Sequence, residues 1–208
     1  MTGKAVFLSA GLPDPSKPHF VAASDPVDVA AAVKALVFVV LGRRRLIWGG
    51  QPAITPIVWS VAQSLGVNYG DWVTLYQSEY FADRYPEDNA RFENTRYVPA
   101  APEIAGQSED ERRRASLLSM RTAMLTENAF ETAVFVGGML GIVDEFELVG
   151  ELCPNIRRIP VLSTGGATTL LGERLGPNAA NLDRLRSDVD YVPLFFELCE
   201  IDPKEPRG

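Results

Sequence analysis

Apolar residues recur in short runs along this chain, and several of these runs end at glycine. Residues 5–11 (Ala-Val-Phe-Leu-Ser-Ala-Gly) read as a buried strand that stops at a glycine turn. The next stretch, residues 12–24, is proline-rich and predicts irregular backbone. Asp25-Pro26 then predicts a helix start, with Asp as the cap and Pro at the first helical position. Val29, Val33 and Val37 follow at helical spacing, and residues 37–41 fit either a helix end or a strand. Residues 45–50 repeat the strand-to-glycine unit. Thr55-Pro56 opens a helix to Leu65 that Gly66 closes. Residues 72–76 predict a third strand.

Residues 77–107 are polar and carry Pro86, Pro99 and Pro102. They predict a long loop with one short helix near 86–92, a candidate lid. Ser108-Glu109-Asp110-Glu111 forms a capping-box pattern and predicts a helix to Thr126. A fourth strand is expected at 132–136 and a helix at 141–152. A fifth strand is expected at 158–163, with a helix after Thr164-Gly165-Gly166 to Leu175. Short helices near 179–185 and 193–199 complete the pattern.

Strands alternating with helices predict an α/β fold: a Rossmann-like three-layer domain, with a mainly parallel central sheet and helices on both faces. One domain over residues 1–208 suits the length. Ligands of such sheets bind at the carboxyl ends of the strands. Gly11, Gly49-Gly50, Gly137-Gly138 and Gly165-Gly166 all fall at such ends. A lone glycine at a strand end is ordinary turn chemistry, but four on one edge predict a shared site.

The segment from Val134 to Glu147 is the most specific. A buried strand runs into Gly137-Gly138 and an acidic helix start with Asp144 and Glu145. Main-chain N–H groups at a helix start point outward and attract anions. The neighbouring carboxylates suit sugar hydroxyls, so a ligand with an anionic part and a sugar is expected.

Charge and composition narrow this. The net charge of −7 argues against a nucleic-acid backbone as partner. The arginine runs 43–45 and 112–114 read as solvated faces. No secretory signal and no span-length apolar run is visible, so a cytoplasmic protein without membrane contact is expected. With one histidine and two cysteines there is no set for a zinc site, and neither a metal nor a cofactor is expected. Acid–base chemistry falls to carboxylates.

Gly137-Gly138-Met139-Leu140-Gly141-Ile142-Val143-Asp144-Glu145 resembles the G-G-x-x-G-x-x-x-E signature of the SLOG superfamily. That superfamily includes LOG-like nucleoside-monophosphate phosphoribohydrolases and nucleotide-sensing domains of bacterial conflict systems. Residues 47–50 and 6–13 resemble its second-strand turn and its first strand and loop. The enzymes carry P-G-G-x-G-T-x-x-E and an M-H-x-R-K segment. Here Val136 and Ile142 replace the Pro and Thr. Met120-Arg121-Thr122-Ala123-Met124 keeps only the arginine of the second motif.

The resemblance implies binding of a nucleotide-derived ligand, such as NAD, ADP-ribose or a signalling nucleotide, by a sensor. The alternative it implies is an N-glycosidase that splits base from ribose; a third reading is a protein-interaction domain with no ligand. It also implies a homo-oligomer and a candidate separate effector protein. As catalytic residues it implies Glu145 at the ribose and Arg121 at the phosphate or orienting Glu145. The other reading of Glu145 is a partner of the helix dipole.

Candidate ligand contacts are Ser9 and Gly11 on the first loop, with Gly49, Gly50, Gln51 and Thr55 at the second. Thr55 also fits a helix cap. Gly137, Gly138, Met139, Gly141 and Asp144 belong to the signature, and Thr164, Gly165 and Gly166 are expected to cradle a second phosphate or close the pocket. Trp48 and Trp59 read as core or interface. Tyr76, Tyr80 and Phe81 fit either a base platform or packing under the loop.

Overall fold

The computed structural model describes residues 4–176 and 179–208. Six strands are seen: β1 (Ala5–Gly11), β2 (Arg45–Trp48), β3 (Val73–Ser78), β4 (Thr95–Val98), β5 (Phe130–Gly137) and β6 (Arg157–Val161). They form one sheet in the order β4-β3-β2-β1-β5-β6, and every pairing is parallel. Helices cover both faces, which makes the three-layer α/β arrangement that the alternating pattern predicts.

The helices are α1 (Pro18–Ala22), α2 (Pro26–Val40), α3 (Thr55–Leu65), α4 (Tyr69–Trp72), α5 (Glu109–Thr126), α6 (Leu140–Leu152), α7 (Leu171–Leu175), α8 (Leu182–Ser187) and α9 (Tyr191–Leu198). Alternation along β1 assigns their faces, since neighbouring strand residues point to opposite sides. Phe7 meets Phe135, whose ring packs on Phe146 of α6. Leu8 is in register with Trp48, which packs through Phe92 toward Trp59 of α3. So α6 lies on one face and α3 on the other. Helix α5 packs against α6, and α2 packs against α3 and α9.

Local chemistry explains the firmest helices. Asp25 caps α2 by accepting from Val27 N at 2.8 Å, and Pro26 needs no N–H partner there. Residues 37–40 continue α2, because Val37, Val39 and Val40 are all buried between the sheet and its helical neighbours. Both halves of the capping box on α5 form, Ser108 with Glu111. Gly66 ends α3 at φ +66°.

Four expectations are corrected. The irregular stretch 12–24 contains α1, started by Pro18. The third strand begins at Val73 and runs on to Ser78, since Trp72 ends a single-turn helix. The loop 77–107 holds β4 and two 3-10 turns, Glu79–Arg84 and Glu87–Arg91. Strand β4 shows no clear alternation because it is an edge strand with Arg96 and Tyr97 exposed. After β6 the chain makes 3-10 turns, Leu162–Thr164 and Gly166–Leu170, before the single helical turn of α7. Among the described residues no helix is long and apolar enough to cross a membrane.

Candidate functional site

The strand order reverses direction between β1 and β5. Connections leave toward β2 on one side and return to β5 on the other, so the carboxyl ends of β1 and β5 splay into a crevice. Gly11 and Gly137 are register partners at that point. A cleft of about 450 Å³ opens there. Its base is formed by the ends of β1 and β2, from Leu8 to Leu12 and from Trp48 to Pro52. One wall comes from α5 and α6, and the other from the segment that follows β3.

Arg121 of α5 and Glu145 of α6 meet across the helix pair. Arg121 Nε donates to Glu145 Oε1 at 2.8 Å, and both side chains are about 15% exposed, at 14% and 16%. An ion pair this shielded holds its geometry better than one in open solvent. A second nitrogen, Nη2, reaches the Gly141 carbonyl at 3.4 Å, and Nη1 lies 3.7 Å from Asp144. The guanidinium lies so close over Gly141 that a Cβ there would sit 3.0 Å from Nη2.

The helix start is different from the acidic one expected. Helix α6 begins at Leu140 and carries no acidic residue in its first turn. Asp144 and Glu145 belong to its second turn, beyond the reach of the dipole end effect. Glu145 therefore lines the cleft beside Arg121, while Asp144 is exposed and off the lining. Met139 stands at the cap with no side-chain cap bond, and its sulfur accepts from Asp14 N at 3.4 Å. The first turn closes with Ile142 N donating to Met139 O at 2.9 Å, so the N–H groups just before it have no partner inside the helix.

Ten of the expected site residues line the cleft: Ser9, Gly11, Gly49, Gly50, Gln51, Arg121, Gly138, Met139, Gly141 and Glu145. Ser9 is buried, and its hydroxyl has no hydrogen-bond partner among the described residues. The indole N–H of Trp48, another lining residue, is in the same condition. Gln51 accepts from Ile54 N at 3.1 Å, which ties the turn before α3, and it also lines the cleft. Gly50 (φ +70°) has no room for a side chain, because a Cβ would overlap the Gln77 amide. That amide donates to Gly49 O at 3.0 Å and holds the turn closed.

The other expected residues sit outside the lining. Thr55 is wholly buried as the first residue of α3, and its hydroxyl donates back to Gln51 O at 3.1 Å; among the described residues it accepts from no helix N–H, so the cap expected of it is not formed. Gly137 N donates to Thr164 Oγ1 at 2.9 Å. Thr164 also donates to Val161 O at 2.6 Å. Gly166 N donates to Ala23 O at 2.9 Å, and Gly165 bridges to Ser24. The Thr164–Gly166 turn is therefore bonded to the protein's own groups and lies outside the cleft lining. Tyr76 donates to Glu127 at 2.9 Å away from the cleft, and its burial raises the hydroxyl's pKa.

Several lining residues were not anticipated. Gln77 and Ser78 at the end of β3, with Arg84, Tyr85 and Pro86, join Phe81 on one wall, and Leu117, Met120 and Ile142 line the helical wall. For the residues at and after the end of β3 the signal available was their place at the carboxyl end of a parallel strand, where the same rule that selected the glycines applies; Leu117 and Met120, inside α5, carried no such signal. The wall after β3 is anchored at both ends. Tyr80 donates to Glu109 of α5, a bond that raises the phenol's pKa, and Arg112 lies 5.9 Å from the Tyr80 ring. Tyr85 donates to Ser78 O at 2.8 Å and packs on Tyr97 with ring centres 5.5 Å apart. Burial raises the Tyr85 hydroxyl's pKa.

No curated protein matches the chain. A family model described as the SLOG cluster3 family matches residues 19–199, which includes every candidate site residue except those of the first strand.

Proposed function

The chain belongs to the SLOG cluster3 family, and from that premise we propose that its cleft binds a nucleotide-derived ligand as a sensor. The observation that carries this reading is the Arg121–Glu145 pair beside the start of α6 at the switch point of the sheet. Three kinds of group converge there. Main-chain N–H groups at the start of α6 suit a phosphate. The Glu145 carboxylate, held by Arg121, accepts hydrogen bonds from a ribose diol. The apolar walls, with Phe81, Leu117 and Met120, suit a planar base. The buried Ser9 hydroxyl adds a group that gains a partner when a polar ligand enters, and leaving it unpaired costs roughly 1–3 kcal/mol.

A second reading is an N-glycosidase that cleaves the base–ribose bond. What favours it is that Glu145 is the carboxylate on the cleft lining, oriented by Arg121 at 2.8 Å. In that role it would stabilise positive charge at the anomeric carbon or activate water. As a sensor the domain would work with a second copy of itself or a separate effector protein. Exposed Leu118 on α5 and Leu140 on α6 are apolar groups available to such a partner.

One experiment separates the readings. The purified protein is titrated calorimetrically with AMP, ADP-ribose, NAD and cyclic nucleotides, and each mixture is then run by chromatography for free base. Binding without base release supports the sensor. Base release that vanishes in Glu145→Ala supports the glycosidase. No heat and no release for the whole panel would remove both.

A further inference from the structure

Cleft-lining residues carry charge at three positions among those described: Arg121, Glu145 and Arg84. Two of these satisfy each other. Arg121 is engaged by Glu145 at 2.8 Å, approached by Asp144 at 3.7 Å, and bonded to Gly141 O at 3.4 Å. Arg84 stands differently. Its one ion pair is with its own neighbour Asp83, at 3.6 Å, and both side chains are about three-quarters exposed, at 73% and 74%. Such a pair contributes little and is easily exchanged for a better anion. The guanidinium keeps its fork of donors for that purpose. Arg84 is nevertheless not on a loose tail. Tyr80 and Tyr85 pin the segment on either side of it, through Glu109 and through Ser78 and Tyr97.

Its position matters as much as its charge. The start of α6 follows β5, and the Arg84 segment follows β3. Two strands, β2 and β1, lie between them in the sheet. At a spacing of about 4.8 Å per strand, the two strand ends stand about 14 Å apart. The Arg84 side chain covers part of that span, and apolar residues line the space between. One phosphate group cannot serve both ends. A cleft-lining arginine paired only with an exposed neighbour is also against the trend of a chain with net charge −7.

We infer that Arg84 is a specificity-determining residue that binds a second anionic group of the ligand, separated from the one at the start of α6. The inference rests on the nucleotide reading of the same cleft. It selects ligands with two spaced anions, as in a dinucleotide whose phosphates flank a nucleoside, over a nucleoside monophosphate.

The test compares AMP with the dinucleotide pApA by calorimetry on the full chain, in wild type, Arg84→Gln and Glu145→Gln. Melting curves check folding, and Arg84→Lys reports whether charge alone suffices. The expected result is that pApA binds wild type at least tenfold more tightly than AMP. Arg84→Gln then removes most of that advantage, weakening pApA by a larger factor than AMP. Should pApA bind no better than AMP, or keep its advantage in Arg84→Gln, the inference is overturned. The nucleotide reading stands in that case if AMP binds wild type and is lost in Glu145→Gln. If neither probe binds wild type, the inference falls, and the nucleotide reading loses its support from these ligands.

Discussion

Strand β5 runs from buried apolar residues into a glycine pair, and β6 reaches one after a 3-10 turn; all four glycines have a similar positive φ. Gly137 and Gly138 have φ +62° and +69°, and Gly165 and Gly166 have +69° and +63°. Their tasks are nonetheless opposite. The second turn is closed on all sides. Gly165 N donates to Leu162 O at 3.1 Å, Gly166 N to Ala23 O at 2.9 Å, and Ala167 N to Gly138 O at 3.0 Å. The first turn is held by the last of those bonds, by Thr164 and by Gly138 N donating to Gly11 O at 2.7 Å, and Gly138 and Met139 line the cleft. Of the first pair Gly138 faces the cleft, and the second pair braces the turn from outside the lining.

The difference teaches how to read a glycine at a strand end. A positive φ explains why glycine is there, and says nothing of what its N–H binds. At Gly165 an added Cβ would overlap the Ala23 carbonyl, which is main chain and cannot turn aside. At Gly138 the obstacle is the side chain of Ile142, a cleft residue, rather than main chain.

The sharpest way to break the comparison is Gly165→Ala. Backbone overlap added to strain at positive φ is expected to cost roughly 3 kcal/mol or more, a fall in Tm on the order of 6–12 °C for a chain of this size. Thermal unfolding followed by circular dichroism measures it, and a shift under about 2 °C, the smallest per-kcal slope, would mean that the brace is not rigid. Next comes Thr164→Val, which keeps the shape and deletes the hydroxyl between Gly137 N and Val161 O. A loss of about 1–3 kcal/mol in urea unfolding is expected, because the Gly137 N–H is left buried without an acceptor.

Gly138→Ala should cost less stability, about 1–2 kcal/mol for the left-handed backbone. It should weaken AMP binding at least tenfold, because Ile142 is pushed toward the cleft. Equal losses of stability in Gly138→Ala and Gly165→Ala would erase the distinction between the two turns. Smallest in stability is Glu145→Gln, which keeps an acceptor for Arg121 and should cost under about 1 kcal/mol. Its effect belongs to the ligand: binding of AMP, or release of its base, is expected to disappear. A Glu145→Gln protein that binds as wild type would move the site away from the Arg121–Glu145 pair.

Much of this fold was legible in the sequence because the signals are local. Asp25-Pro26, the Ser108–Glu111 box and Gly66 act on residues within one turn, so the ends of α2, α5 and α3 follow from neighbours in the chain. Buried parallel strands announce themselves as short apolar runs, and β1, β2 and β5 are of that kind. Strand β4 gave no such signal, because its pairing with β3 is decided by main-chain groups and its side chains are half in solvent.

For the site, the sequence by itself determined the carboxyl edge, the glycine positions and the candidate pair Arg121 and Glu145. Only the tertiary structure decided which groups remain free to act. Gly166 is satisfied by Ala23, Gly137 by Thr164 and Thr55 by Gln51, whereas Ser9 keeps an unpaired hydroxyl and Arg84 a guanidinium paired only with its exposed neighbour Asp83. Ala23 lies far from Gly166 along the chain, so that bond exists only once the sheet and its turns have come together. Helix caps and turns spend their hydrogen bonds within a few residues, and sequence spacing reveals them. A binding cleft is the remainder after every long-range bond has formed, and no local pattern records that remainder.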